Sequence, residues 1–279
     1  MNSFSKQHVA DSLLNAESYF HASIAYEELI FTNHQSGLNN YYRHQKAICY
    51  KELGHYQKAI DELKGIYFRN TSDSLYLHVN YQLALCYFLI NEPQQALWKI
   101  DEFLYNTRDT IAFSTFLPLK ALCHNELQEW DKASDALILF SKYQLVDERT
   151  KQNFREMVES IYNKKNLPRI IPEKRAQYLS RFIPGAGQIY AGEVGEGVLN
   201  LLIHISLLTF SAHQFSNGFT TLQFWNGYFV TGYFAGLGMF HKVYQGGIKR
   251  AGLLASENNK NETAAFNHTI NKLVIDHLH

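Results

Sequence analysis

The sequence predicts an all-α protein: an α-solenoid of repeated helix pairs followed by a transmembrane helical hairpin. Three observations predict it. Small and apolar residues recur with a 37-residue step through the first half of the chain. No Asp, Glu, Lys or Arg stands between Glu196 and Lys242. Two prolines, Pro168 and Pro172, break helix between these two stretches and mark a boundary.

The repeat is carried by whole columns of residues. Ala10, Ala47, Ala84 and Ala121 step by 37, and so do Ala22, Ala59, Ala96 and Ala133. Other columns agree in character: Leu13, Tyr50, Tyr87 and His124; Tyr26, Leu63, Ile100 and Leu137; Leu29, Ile66, Phe103 and Phe140. Each unit is therefore a pair of helices, with alanines where the two backbones must approach. Cys49, Cys86 and Cys123 fall in one column, so successive thiols lie about a repeat apart. That is too far for a disulfide, and the expectation is buried structural thiols.

The segment Ala47-Ile-Cys-Tyr50-Lys-Glu-Leu53-Gly54-His-Tyr56-Gln-Lys-Ala59-Ile60-Asp-Glu-Leu63 resembles a tetratricopeptide repeat. Ala84…Tyr87…Ala96 and Ala121…Trp130…Ala133 follow the same plan. Gly54 gives way to Asn91 and Gln128 in the later copies, residues that occupy a tight turn at some cost. The period exceeds the usual ~34 residues of that family, and the surplus is expected between units, in 69–74 and 106–110. The resemblance implies repeats over 1–145. A capping helix over 146–163, with Asp147 or Thr150 at its start, would close the open end of the stack. A linker, 164–177, follows.

Stacked pairs of this kind curve, with their first helices lining a groove. The inward positions are Tyr41, His44, Ile48, Lys51, His78, Tyr81, Leu85 and Phe88. An aromatic groove with polar tips suits an extended peptide or a partner helix. The Lys/Asn arrangement by which some tetratricopeptide domains clamp a C-terminal carboxylate is absent, since the corresponding places read Gln7, Asp11 and His44.

The charge-free span contains two apolar runs, Val198–Phe215 and Phe219–Phe240. As helices they would extend about 27 and 33 Å, against a hydrocarbon core of about 30 Å. Ser216-Asn217-Gly218 reads as the turn between them. Gly232 and Gly236 form a small-xxx-small pattern suited to close helix packing, and Trp225, Tyr228 and Tyr244 suit the bilayer interface. The opening Pro184-Gly185-Ala-Gly187-Gln188-Ile-Tyr190-Ala-Gly192 resembles the glycine-rich start of a family of small two-transmembrane-helix domains, found in bacterial proteins and sometimes behind tetratricopeptide repeats. That resemblance covers 178–255 and implies location rather than activity. Pro184 and Gly185 would stop a short helix starting near Lys174, while Gln188 and Tyr190 would satisfy backbone groups at the interface. After it, 256–262 reads as a polar linker and 266–278 as a short amphipathic helix.

Composition bounds the function. Residues 1–163 carry 15 basic and 20 acidic side chains and residues 164–279 carry 11 and 6. The acidic first part speaks against a nucleic-acid surface, and the basic second part suits lipid head groups. No Ser/His/Asp order, HExxH, paired CxxC or phosphate loop is present, and Gly185-x-Gly187 lacks the third glycine and the preceding strand of a dinucleotide site. No enzyme, cofactor, metal or small-molecule substrate is expected. Basic residues flank the hairpin on both sides and its tip has none, so the positive-inside rule places the repeats in the cytoplasm of a bacterium, on its inner membrane. Met1–Asn15 lacks a basic segment followed by an apolar run; a removed leader would put the repeats in the periplasm instead. The expected role is a membrane-anchored scaffold or adaptor holding a protein or peptide. The alternative is a subunit of a membrane assembly, insertion or transport machine in which the hairpin does the work.

Overall fold

The computed structural model describes residues 3–32, 36–68, 70, 73–107, 109–220 and 227–278, and every regular element among them is helical. The chain forms two compact units, Met1–Leu167 with Ile270–His279, and Pro168–Thr269.

In the first unit, α1 (Ser3–Asn15) and α2 (Tyr19–Thr32) form a pair, then α3 (Ser36–Glu52) and α4 (Tyr56–Lys64). The series continues with α5 (Ser74–Leu89) and α6 (Pro93–Tyr105), then α7 (Thr110–Glu126) and α8 (Trp130–Tyr143), and α9 (Glu148–Ile161) follows. Each helix packs on the one before and the one after it, and α5 also touches α3 and α7. All eight repeat alanines are buried, as are the three cysteines and the columns headed by Tyr26 and Leu29. These columns are the contact surfaces of the pairs. Burial pushes the thiols of Cys49 and Cys86 up to about 11 and that of Cys123 up to about 12, so they pack as small apolar groups.

The period extends to the backbone. Glu17, Gly54, Asn91 and Gln128, each 37 residues from the next, adopt φ of 56°, 75°, 63° and 59°. Each ends the first helix of its pair with the same two bonds. Gly54 N–H donates to the Lys51 carbonyl and His55 N–H to that of Tyr50; Asn91 with Glu92, Gln128 with Glu129 and Glu17 with Ser18 repeat the pattern. This is the Schellman geometry, which satisfies carbonyls left open at a helix end. Between pairs, Asp73 and Asp109 accept N–H bonds from Leu75 and Ile111 as N-caps of α5 and α7. Lys46 is buried, and its ammonium bonds to the carboxylates of Glu27 and Glu62, tying α2, α3 and α4 together. Asp147 caps α9, accepting both the N–H and the hydroxyl of Thr150. Tyr162 then donates to Asn125 Oδ1 at 2.9 Å, fixing the chain after α9 onto α7.

The second unit comprises α10 (Glu173–Phe182), α11 (Ala186–Tyr190), α12 (Val194–Thr220) and most of α13 (Gly227–Leu278). Two expectations are corrected here. Ser216–Gly218 is not the turn, because α12 runs through it to Thr220. The polar stretch 256–262 is not a break, because α13 is one helix of 52 residues. Trp225 lies outside the described residues and Tyr228 outside the described side chains.

Candidate functional site

Two places gather the residues singled out from the sequence. The first is the face shared by α3 and α5. Tyr41, His44, Ile48 and Lys51 recur at helical spacing on α3, and His78, Tyr81, Leu85 and Phe88 on α5. Their roles diverge. The Tyr41 hydroxyl donates to Asp11 Oδ1 at 3.2 Å, beside that of Tyr26 at 2.6 Å, so it ties α3 to α1. Lys51 pairs with Glu52. Leu85 and Phe88 are half-buried against the central core cluster, while Ile48 is half-buried on the same stripe.

His44 is buried, and neither of its ring nitrogens has a hydrogen-bond partner among the described residues. Burial, with the nearby His78 and Lys51, holds it down at about 4, so the ring is neutral at physiological pH and offers one N–H and one lone pair. His78 and Tyr81 line a cavity of about 620 Å³ together with Gln82, Phe103, Ile111 and Thr115. Gln82 Oε1 is buried there without a partner. The ring of Tyr81 packs edge-on against Phe116, and burial raises its hydroxyl above the ordinary phenol range. The sequence reading missed Gln82, Phe103, Ile111 and Thr115 because the cavity is built where α5, the end of α6 and the start of α7 converge. The signal was present in the capping aspartates Asp73 and Asp109, which also line it.

The second place is the elbow at Pro184, Gly185, Gly187, Gln188, Tyr190 and Gly192. Gly185 has φ +91°, and a Cβ on it would lie 2.0 Å from the carbonyl oxygen of Gly197. A Cβ on Gly187 would lie 2.0 Å from the Ala176 carbonyl oxygen. No other residue fits either position. The Gly187 N–H donates to Ser180 Oγ, whose hydroxyl donates to Gln188 Oε1. The Gln188 amide nitrogen in turn donates to the carbonyl of Gly247, 59 residues on. Gln188 is thus a buried pin joining α10, α11 and α13, satisfied at both ends of its amide. Pro184 sits half-buried in the turn before α11, and Gly192 (φ +99°) ends α11 with Schellman bonds of its own. Tyr190 does not bond backbone as expected; its ring packs on the core of the unit and takes the Arg175 guanidinium at 5.4 Å.

From this elbow α12 runs inside-out. Its apolar side chains face outward: Val194, Val198, Leu199, Leu202, Ile203, Ile205, Leu208, Phe210 and Phe215 are exposed. Its polar His204 and Ser211 are buried, and Asn200, half-buried, packs on Gly247. His204 Nδ1 lies 2.8 Å from the Asn200 carbonyl and its ring meets Phe240 and Tyr244, while Ser211 Oγ sits where a Cβ on Gly236 would be. Asn200 Oδ1, His204 Nε2 and Ser211 Oγ have no hydrogen-bond partner among the described residues. By length and composition Val194–His213 is a candidate to cross a membrane. The second apolar run, 219–240, lies partly outside the described residues.

No group of three or more metal-ligating side chains occurs among the described residues. Comparison with protein-family models, with curated proteins and with solved structures gives no match.

Proposed function

We propose that this chain is a membrane-anchored adaptor. Its repeats stack as a tetratricopeptide-like solenoid, and α12 with the start of α13 forms a two-helix transmembrane hairpin in a bacterial inner membrane. The groove on α3 and α5 holds a protein or peptide close to the bilayer. The observation that carries this reading is the cavity of about 620 Å³ that the exposed His78 and the ring of Tyr81 line on the expected groove face, with the buried ring of His44 lying near His78. An aromatic cleft with polar tips suits an extended peptide. The exposed apolar face of α12 supports the anchor, because such a surface in water would be an association liability and in lipid is simply solvated.

The test is photo-crosslinking in native membranes from the full-length chain with a photoreactive phenylalanine at the exposed His78. A discrete crosslinked protein, lost in His44→Ala and Tyr81→Ala variants, is the expected result. A crosslinking profile indifferent to both substitutions overturns the adaptor reading.

A second reading is favoured by the buried polar side chains His204 and Ser211 of α12, of which Ser211 lies about two turns further into the charge-free span, since polar groups at membrane depth are costly to keep. In it the hairpin is the working part of an assembly, insertion or transport subunit and the repeats recruit it. Full complementation of a deletion strain by the His204→Leu, Ser211→Ala double variant would remove this option.

A further inference from the structure

The elbow carries a surface that neither the groove nor the hairpin core uses. Tyr178, Phe182 and Ile183 are 57, 68 and 57 % exposed, and the rings of Tyr178 and Phe182 meet edge to face at 4.8 Å. Tyr178 and Phe182, one turn apart on α10, and Ile183 just after it are thus presented outward, while Ala176 and Ser180 on the opposite face of α10 are buried. Exposed aromatic pairs of this size on a water-facing helix call for a partner.

Their height along the hairpin is fixed by two contacts. The Tyr244 hydroxyl donates to the Arg181 carbonyl at 2.7 Å, so the end of α10 lies level with Tyr244 on α13. Tyr244 stands two residues past Lys242, where the charge-free span ends. On α12 the same level is marked by His204, whose ring meets Tyr244. Phe182 and Ile183, directly after Arg181, therefore stand where the uncharged part of the hairpin gives way to charge. The charge there is basic. Lys174, Arg181, Lys242 and Lys249 are exposed and enter no ion pair among the described residues, whereas Glu196 is occupied by Arg250.

We infer that the α10–α11 elbow is an interfacial wedge that binds anionic phospholipid of the surrounding bilayer: Tyr178, Phe182 and Ile183 enter the upper acyl region, and Arg181 and Lys242 take the head-group phosphates. This rests on the membrane reading of α12. The arrangement follows from elementary preferences. Aromatic rings favour the boundary between hydrocarbon and head groups, and basic residues near an anionic surface are drawn to its phosphates.

The test uses the full-length chain in vesicles of phosphatidylcholine, alone or with phosphatidylglycerol. The native thiols are fully buried, so a single introduced cysteine takes a nitroxide label selectively. Labels at Phe182→Cys and, separately, at Leu208→Cys are read by their collision rates with oxygen and with a water-soluble nickel chelate. Oxygen should dominate at both positions, with the label at 182 shallower and shifting deeper when phosphatidylglycerol is present. The shift should vanish with Arg181→Gln and Lys242→Gln. A label at 182 in water while that at 208 is in lipid overturns the wedge and leaves the anchor standing. Equal depth in both lipid mixtures overturns the head-group recognition. A water-exposed label at 208 overturns the anchor itself.

Discussion

Single residues at the ends of the repeat helices show how much each copy has drifted. The left-handed position is occupied by glycine only at Gly54; Glu17, Asn91 and Gln128 hold the same φ with a side chain that resists it. Gln128→Gly should therefore raise the stability of the first unit by about 0.5–1 kcal/mol, read as a shift in the urea midpoint. Asn91→Gly should do less, since asparagine tolerates this region better. His44 sets a pH dependence. Its folded pKa lies at about 4, below the ordinary 6.5, so its contribution is complete above pH 6.5 and is lost as the pH falls from there towards 4. The loss should amount to roughly 3 kcal/mol. It is isolated from carboxylate titration by comparing the pH slope of wild type with that of His44→Gln, which should be flatter in this window. The sequence made the columns around these residues legible because burial acts on residue type. Glu17 is not marked as a turn residue by its type, since glutamate rarely takes αL, and only the 37-residue step from Gly54 points to it.

At the scale of elements, the glycine-rich elbow is where packing leaves no choice. Gly185→Ala combines a left-handed φ with a Cβ 2.0 Å from a carbonyl oxygen, and Gly187→Ala meets one at the same distance. Each should destabilise the second unit by about 3 kcal/mol or more. Gly195, on the outer side of α12 with nothing within 4 Å of an added Cβ, should accept alanine without loss. Thermal unfolding of the three full-length variants in detergent is the comparison to make. The motif itself was readable, because glycines so spaced before an apolar run demand close approach. Two neighbouring elements were not. Ser256–Glu262 has the composition of a linker, yet Asn259 accepts the Ile171 N–H and donates to its carbonyl, while Glu257 lies 3.8 Å from Arg250. These tertiary bonds outweigh a weak local propensity. Ser216–Gly218 has turn residues, but in an apolar setting continuing the helix keeps backbone groups satisfied, which a turn does not.

For the whole molecule the membrane assignment decides what every other property means. His78 and Tyr81 line a cavity, yet the proposed partner is not written in their identities; its recognition would depend on shape across three helices that no local pattern encodes. Orientation is written more plainly. Six basic residues, Lys164, Lys165, Arg169, Lys174, Arg175 and Arg181, precede the hairpin, and Lys242, Lys249 and Arg250 follow it. For the proposed anchor, the positive-inside rule puts both basic flanks on the cytoplasmic side and the uncharged tip of the hairpin on the other. Alkaline phosphatase, active only outside the cytoplasm, should be inactive when fused after His279 and active when inserted within 221–226. The opposite pattern would reverse the chain and place the repeats in the periplasm. Activity at neither position, with the protein released by alkaline carbonate, would mean that α12 never crosses the bilayer. Its exposed leucines and phenylalanines would then have to be covered by protein, and the anchor, the wedge and the bilayer-bound groove would fall together.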